Sequence, residues 1–171
     1  MRRMLLCLLV AAAACAATSC RRAVERSASK IRIEAVGRPV VLGPTAFELP
    51  LTVDNGSAHR LRLEAASLAL RCGDARALEL RLAGEVCIER RTRVEVVTRW
   101  RMRIADPLAL YVVVERLRRG ELSDLAVDYA VEGRGGPAAV NISRERVPLS
   151  EFLNTFGLTT DDVVRFFRTE R

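Results

Sequence analysis

The feature that most constrains this chain is an alternation of apolar and polar residues that extends from residue 49 to residue 104. The longest run places these residues on one face: Val94, Val96, Thr98, Trp100, Met102 and Ile104. A period of two matches a β-strand that buries one face and leaves the other in water. Antiparallel sheets are the usual setting for such strands, so the pattern predicts an all-β, antiparallel fold.

Shorter alternating runs predict further strands on both sides of the longest one. They lie at residues 31–35, 40–42, 49–54, 61–70, 78–82, 125–131 and 140–142. The phase of the pattern slips at Ala65 and Ala66, as a β-bulge would cause. The Asn55-Gly56-Ser57 connection predicts a strand, a turn and a strand that returns to pair with the first. Short strands at this spacing favour a β-sandwich.

One segment inside this pattern changes to a helical period. Leu110, Val113 and Leu117 share a helix face, Pro107 suits the first turn, and Gly120 suits the end. The sequence therefore predicts a helix, at residues 108–119, inserted between strands.

The N-terminus has the organisation of a secretory signal. Two Arg residues follow Met1, an apolar run covers residues 4–17, and small residues precede Cys20. The end of this run resembles the lipobox of bacterial lipoproteins, although Ala17 stands where that family usually has Leu. The resemblance implies a lipoprotein signal peptide at residues 1–19 and a diacylglycerol group on Cys20.

The polar residues 20–30 then form a tether, and the protein is expected in the bacterial cell envelope, anchored by its lipid and facing the periplasm. Three alternatives stay open. Cys15 is a weaker competing site, Arg2-Arg3 could begin a twin-Arg export signal, and the protein could be secreted in soluble form with Cys20 incidental.

The formal net charge is +7, and all but one of the 28 basic residues are Arg. This excess favours anionic neighbours such as a phospholipid surface. A stripe of Arg residues along the longest strand is the candidate contact with such a surface: Arg91, Arg93, Arg99, Arg101 and Arg103. The favoured alternative is a solvated sheet face on which Glu89, Glu95 and cross-strand acids pair with the stripe. Nucleic acid is not expected, because the chain is exported and no aromatics alternate with the basic residues.

The sequence offers no constellation for catalysis. His59 is the single His, lies in a predicted turn, and has no metal-ligating residue at suitable spacing. Neither an enzyme activity nor a metal or cofactor site is therefore predicted. Cys72 and Cys87 are expected to stay free, because a turn at residues 73–75 would keep them too far apart for a disulfide.

The C-terminal segment, residues 148–171, contains four of the five Phe residues in two short helical patterns. In the second pattern Val163, Phe166 and Phe167 share a helix face. This face is expected either to dock on the β-domain, residues 31–147, or to contact a partner or the membrane interface.

The order of elements resembles the late embryogenesis abundant type 2 family, also called the water-stress and hypersensitive-response domain. The segments that carry this resemblance are residues 53–56, 61–70, 94–104, 117–120 and 127–133. The resemblance implies an immunoglobulin-like antiparallel β-sandwich of about seven strands without known catalysis. It also implies a lipid-anchored envelope protein with a role in stress protection or apolar binding.

Two functions follow as hypotheses. The first is a non-catalytic envelope module that binds another protein or protects the membrane surface. The second is a carrier of an apolar ligand or lipid held inside the sandwich. A packed interior around Leu80, Val96, Trp100 and Val127 would favour the first, and an open apolar pocket there would favour the second.

Overall fold

The computed structural model describes residues 30–155 of the chain. The predicted signal peptide, almost all of the tether and residues 156–171 lie outside this part. The described strands are β1 Ile31–Val36, β2 Val40–Gly43, β3 Ala46–Asn55, β4 Leu61–Cys72, β5 Ala75–Leu82, β6 Val86–Ile88, β7 Thr92–Ile104, β8 Leu125–Gly135 and β9 Ala138–Pro148. The described helices are α1 Pro107–Arg119 and α2 Leu149–Thr155.

All of the described strands belong to one antiparallel sheet that curls into a half-barrel. Its main path has the order β1-β3-β7-β5-β4-β8-β9, while the short strands β2 and β6 pair with β3 and β4. The predicted all-β, sandwich-like class is therefore confirmed, with nine described strands where about seven were expected. Hydrogen bonds run continuously between strands from one edge to the other, so the two walls belong to the same curled sheet.

Burial along β7 follows the predicted period of two. Thr98 and Trp100 are buried on the inner face, whereas Arg99 and Arg101 are exposed on the outer face. Register carries the inner face from β7 into β5, where Leu80 lies opposite Met102, and into β3, where Leu51 lies opposite Val96. In each of these three strands, the residues that alternate with the inner-face residues have their side chains on the outer face. The alternation read from the sequence thus separates the apolar and charged faces of the sheet.

The predicted hairpin around Asn55-Gly56-Ser57 is wrong. Strand β3 pairs with β1, β2 and β7, and β4 pairs with β5, β6 and β8, so the connection crosses from one half of the sheet to the other. Strand β3 is matched by β7 along its whole length, and β4 by β8 likewise. These long ladders outweigh the local turn preference, and the loop side chains are used in a buried hydrogen-bond network instead.

Strand β3 contains Pro50 at a position where its missing N–H costs no ladder hydrogen bond. On the edge of β3 away from β7, the pairing strand changes at Pro50. Strand β1 ends opposite Leu51, and β2 begins opposite Glu48. The Pro50 carbonyl accepts a hydrogen bond of 2.8 Å from the Gly37 N–H. Pro50 therefore marks the break between the two edge strands.

The inserted helix α1 begins and ends as predicted. The Asp106 carboxylate caps it by accepting hydrogen bonds from the N–H groups of Leu108 and Ala109, at 2.9 and 3.1 Å. Gly120 ends the helix with φ = 75°, a left-handed conformation that a side chain would disfavour. Between these caps, Val113 and Leu117 are buried against the inner face of the sheet.

The main hydrophobic core lies between α1, α2 and the inner faces of β4, β5 and β8. Its buried members are Ala77, Ala109, Val113, Leu117, Leu125, Val127, Leu149 and Leu153. Helix α2 confirms the first predicted C-terminal helix. The predicted bulge in β4 is also present, displaced slightly to the register shift between Leu63 and Ala65. The second predicted C-terminal helix lies outside the described residues.

Candidate functional site

The outer face of β7 holds four of the five Arg residues of the candidate anionic contact. Arg93, Arg99, Arg101 and Arg103 alternate along the strand and are all exposed. Arg91 is separate from them, because it precedes the strand in a turn with φ = 50° and its N–H donates to the Ser57 carbonyl. The structure therefore brings four of the predicted side chains onto one surface.

Three of these four side chains are paired with carboxylates from other strands of the sheet. Arg93 pairs with Glu34, Arg99 with Glu48, and Arg103 with Glu79. Arg103 is bidentate, with its Nε and Nη2 at 3.1 and 2.8 Å from the two Glu79 oxygens. The hydrogen bond from Arg103 holds the pKa of Glu79 below its ordinary value, although burial acts in the opposite direction.

The partners of this stripe differ from the two acids that the sequence suggested. Glu89 pairs with Arg60, directly before β4, at 3.1 Å, and Glu95 lies opposite Thr52. The acids that do pair come from β1, β3 and β5, and pairing between these strands could not be read from local sequence. Most of the charge of the stripe is thus neutralised within the sheet.

Arg101 is the exception. In the part of the chain that the structure describes it forms no ion pair, and it lies in register between Ala46 and Arg81. Arg81 is also exposed and also lacks an ion pair among the described residues. Like charges placed directly across a sheet repel each other, so this pair is a local excess of positive charge. Of the four side chains on this surface, the one without an acidic partner among the described residues is therefore Arg101, with Arg81 beside it.

A second charged cluster, which the sequence did not indicate, surrounds Asp128 on the outer face of β8. One Asp128 oxygen accepts hydrogen bonds from Arg71 at 2.9 Å and pairs with Arg76 at 3.3 Å. The other accepts the backbone N–H of Arg146 at 2.9 Å. The side chains of Asp128 and Arg71 are only 11% and 12% exposed. We call these four residues the Asp128 cluster.

The Asp128 cluster holds an irregular backbone. The register between β8 and β9 shifts between Val127 and Tyr129, and Arg146 within this bulge has φ = 54°. Its guanidinium also reaches Asp74 at 2.9 Å, which ties the bulge to the β4–β5 turn. Burial pushes the pKa of Asp128 upward, but the Arg146 N–H and Arg71 outweigh this effect and hold that pKa below its ordinary value. The carboxylate is therefore already used in structural bonds.

One signal in the sequence could have indicated this cluster. Asp128 lies between Ala126 and Ala130 on the same face of its strand, so two small side chains surround a short acid. Long Arg side chains from neighbouring strands can cover an acid in that position. Which Arg residues would do so depends on the pairing of β4 with β8, which the sequence did not reveal.

His59 lies in a loop built around Asn55 and Ser57, which are 0% and 1% exposed. The Asn55 amide donates to the carbonyls of His59 and Glu89, both at 2.9 Å, and its oxygen accepts from the Ser57 hydroxyl at 2.6 Å. The His59 ring itself is exposed and packs beside Gly136, where an added Cβ would lie 2.7 Å from Nδ1. We call Asn55, Ser57 and His59 the Asn55 network, and its geometry is that of a structural loop.

Both cysteines of the described domain are free, as predicted. Cys72 ends β4 opposite Ala75, whereas Cys87 pairs in register with Arg62 near the start of the same strand. The length of β4 therefore separates the two thiols. Cys20 lies outside the described residues, as do Val163, Phe166 and Phe167.

The described residues contain an open depression of about 240 Å³ on the outer face between β3, β7 and the β5–β6 loop. Its lining includes Glu48, Glu85 and Arg99, so it is polar. Residues 30–155 contain no group of three or more His, Cys, Asp or Glu placed to hold a metal ion. Neither helix of this part has the length and apolar character needed to span a bilayer.

No protein-family profile matches the chain, and no curated protein sequence matches it. Among solved structures it is similar to a protein from Archaeoglobus fulgidus, with 11% sequence identity and a TM-score of 0.40. The similarity covers 67% of this chain and 92% of the archaeal one. A likeness this distant assigns no function.

Proposed function

We propose that this protein is a lipid-anchored, non-catalytic module of the bacterial cell envelope, with a domain of the late embryogenesis abundant type 2 kind. The observation that carries the proposal is the apolar run of residues 4–17 followed by small residues and Cys20. In this proposal the lipid on Cys20 holds the protein at the membrane. The folded domain then meets other components of the envelope, and stress protection is the role that the family resemblance implies.

The position of Lys30 supports a tethered arrangement. Its carbonyl accepts a 3.0 Å hydrogen bond from Gly56, so the first described residue is fastened to the β3–β4 loop. Residues 20–30 would extend at most about 40 Å beyond this point if fully stretched. The end of the sheet that carries the Asn55 network would therefore lie nearest the membrane.

The use of the charged groups supports a contact function over catalysis. The two described acids with a lowered pKa, Glu79 and Asp128, are both committed to Arg partners. An acid or base for catalysis needs access to a substrate and a pKa matched to its task. Arg81 and Arg101, which are exposed and form no ion pair among the described residues, are better suited to hold an anionic group, such as a phosphate, at the surface.

The alternative function, a carrier of an apolar ligand, would need an apolar cavity of several hundred Å³. Val127 and Trp100 are 4% and 9% exposed, and Trp100 donates through its indole N–H to Thr98 at 2.9 Å. These contacts favour a packed interior around Trp100 and Val127. They are two of the four residues at which a cavity was to be sought, the others being Leu80 and Val96. The depression of about 240 Å³ described above is polar and lies outside this interior.

Processing of the N-terminus tests the proposal. The full chain, expressed in a bacterial host that processes lipoproteins, is expected to partition into detergent and to begin at an acylated Cys20 by mass spectrometry. Cys20→Ala should abolish both results, whereas the matched variant Cys15→Ala should leave them unchanged. A mature protein with an unmodified N-terminus at any other residue would contradict lipid anchoring.

A further inference from the structure

Helix α1 carries a second apolar face that points away from the sheet. Leu108, Tyr111 and Val112 are 80%, 67% and 40% exposed. Their spacing of three and four residues places them together, on the side opposite the buried Ala109 and Val113. We call these three residues the outer α1 face. Scattered exposed apolar residues are ordinary, but a continuous helical patch that includes a Tyr usually marks a contact surface.

We propose that the C-terminal segment of this chain, residues 156–171, docks on the outer α1 face. Helix α2 ends at Thr155, and its buried Leu149 and Leu153 share one core with Val113 and Leu117 of α1. The chain therefore leaves α2 in the same layer as α1. The remaining 16 residues, if helical, would extend about 24 Å, whereas the 13 residues of α1 extend about 20 Å. The segment is thus long enough to cover α1.

The apolar residues of the two segments have the same spacing. Val163, Phe166 and Phe167 follow one another at intervals of three and one, as Leu108, Tyr111 and Val112 do. A helix formed by the C-terminal segment would therefore present a stripe of matching length. Burial of two Phe side chains against a Leu, a Val and a Tyr is the kind of contact that stabilises helix packing.

Charge sets the direction of this docking as antiparallel. Helix α1 has Asp106 at its first end and the exposed Arg118 and Arg119 in its last turn. The C-terminal segment has the same order of charges along its own length, since Asp161-Asp162 precede its apolar residues and an end of net positive charge follows them, with Arg168, Glu170 and Arg171. An antiparallel arrangement therefore brings opposite charges together at both ends, whereas a parallel one brings like charges together.

The course of the chain agrees with the same direction. Helix α1 begins beside β5, where the Asp106 N–H donates to the Ala77 carbonyl at 3.3 Å. It ends beside the start of β8, where Arg116 pairs with Asp124 at 3.1 Å. Because Pro148, directly before α2, pairs with Ala126 near the start of β8, the proposed antiparallel segment begins at the last turn of α1. It then runs back toward β5, antiparallel to α1.

Two other occupants fit the outer α1 face less well. Three side chains on a helix of this length provide far less than the roughly 800 Å² per partner of a stable dimer. A segment of the same chain needs no such area, because its effective concentration is in the millimolar range. In the tethered arrangement proposed above, a lipid surface is disfavoured by position, since α1 follows the end of β7 opposite to the end where Lys30 is fastened. The length, spacing and charges of the C-terminal segment favour docking whether or not the proposed lipid anchor is present.

A double-mutant cycle on the full chain tests the proposal. In the absence of docking Leu108 is 80% exposed, so Leu108→Asp should change the melting temperature very little. With docking, we expect Leu108→Asp to lower the Tm by about 3–6 °C. That loss should disappear when Phe166→Asp and Phe167→Asp are already present. Val97→Asp on the outer face of β7, where Val97 is 56% exposed, is the matched control and should have the same effect in both backgrounds.

Several results would overturn the proposal. Equal effects of Leu108→Asp in both backgrounds would show that the C-terminal segment does not touch this face. A doubled mass by sedimentation that Leu108→Asp abolishes would assign the face to a second copy. Binding to anionic phospholipid vesicles that Leu108→Asp abolishes, with no coupling to Phe166 and Phe167, would assign it to lipid. If Leu108→Asp fails to fold, Tyr111→Arg replaces it, and truncation after Gly157 can replace the double Phe substitution.

Discussion

The Asn55 network and the Asp128 cluster lie near opposite ends of the same curled sheet and solve a similar problem by different chemistry. In each, a buried polar side chain forms hydrogen bonds with irregular backbone and holds it in place. The Asn55 network is neutral, and the Asn55 amide has a partner for each of its polar atoms. The Asp128 cluster is ionic, and Arg71 keeps a buried Nε without a hydrogen-bond partner among the described residues.

This difference determines how each region responds to change. Breaking a neutral network leaves carbonyls unsatisfied, whereas removing one partner of a buried ion pair leaves an uncompensated charge. The loss of stability caused by an uncompensated buried charge is the larger of the two, and it depends on pH. Ionic strength and pH should therefore act more on the Asp128 cluster at the β4–β8–β9 end of the domain than on the neutral hydrogen bonds of the Asn55 network at the other end.

The largest expected effect is that of Asp128→Ala. It leaves the buried guanidinium of Arg71 unpaired and removes the acceptor that holds the Arg146 N–H in its left-handed conformation. We expect a loss of about 3–4 kcal/mol in the free energy of unfolding, measured by urea denaturation. Asp128→Asn keeps an acceptor for Arg146 and should cost less. A negligible loss for Asp128→Asn would show that the charge of Asp128 contributes nothing.

Asn55→Ala should have the next largest effect. The Glu89 carbonyl loses the Asn55 donor, the His59 carbonyl keeps only the Ser57 hydroxyl as a donor, and the loop that crosses between the two halves of the sheet loses its centre. The expected loss is about 2 kcal/mol in the free energy of unfolding, and it should not change with salt. Ser57→Ala is the matched control and should cost less, because Asn55 then keeps both of its carbonyl acceptors. A salt-dependent loss for Asn55→Ala would contradict the neutral character of the network.

Local features of the fold are predicted by the sequence more closely than the pairing of distant strands. The period of two in β7, the ends of α1 at Pro107 and Gly120, and the bulge in β4 are local features, and each lies close to its predicted place. The predicted hairpin at Asn55 is wrong because the pairing of β3 with β7 is a long-range property. Local turn preference carries a small free energy compared with a ladder along a whole strand.

The charged outer face of β7 is also predicted only in part, because the pairing of its strands is a long-range property. Alternation alone places Arg93, Arg99, Arg101 and Arg103 on one outer face. The partners of these side chains depend on which strands are neighbours in the sheet, so local sequence does not identify the acids that pair with them: Glu34, Glu48 and Glu79. The Asp128 cluster escapes prediction because separate strands contribute to it.

A pH titration of stability sharpens the comparison further. Because the folded-state pKa of Asp128 is lowered, its contribution to stability is fully present above the unfolded value of about 4. That contribution is lost as the pH falls through the folded pKa. Glu79, whose pKa is also lowered, adds a loss of the same sign. Urea denaturation between pH 7 and about pH 3 should therefore show a steeper acid loss for the wild type than for Asp128→Asn. Asn55→Ala should lose stability with falling pH as steeply as the wild type does. A flatter pH dependence in that variant would show that the Asn55 network also depends on an ionised group.

The smallest expected effects come from the exposed ion pairs of the outer face. Arg93 and Arg103 are 70% and 69% exposed, so solvent and salt screen both pairs. Each Arg→Ala substitution should cost less than about 0.5 kcal/mol in the free energy of unfolding. Arg103 should matter slightly more than Arg93, because its bidentate partner Glu79 is only 14% exposed and Glu34 is 33% exposed. Thermal denaturation of both variants at low and high salt checks this order. A loss above about 1 kcal/mol for Arg103→Ala would indicate that the pair is coupled to the Asp128 cluster through Arg76, which interacts with both Glu79 and Asp128.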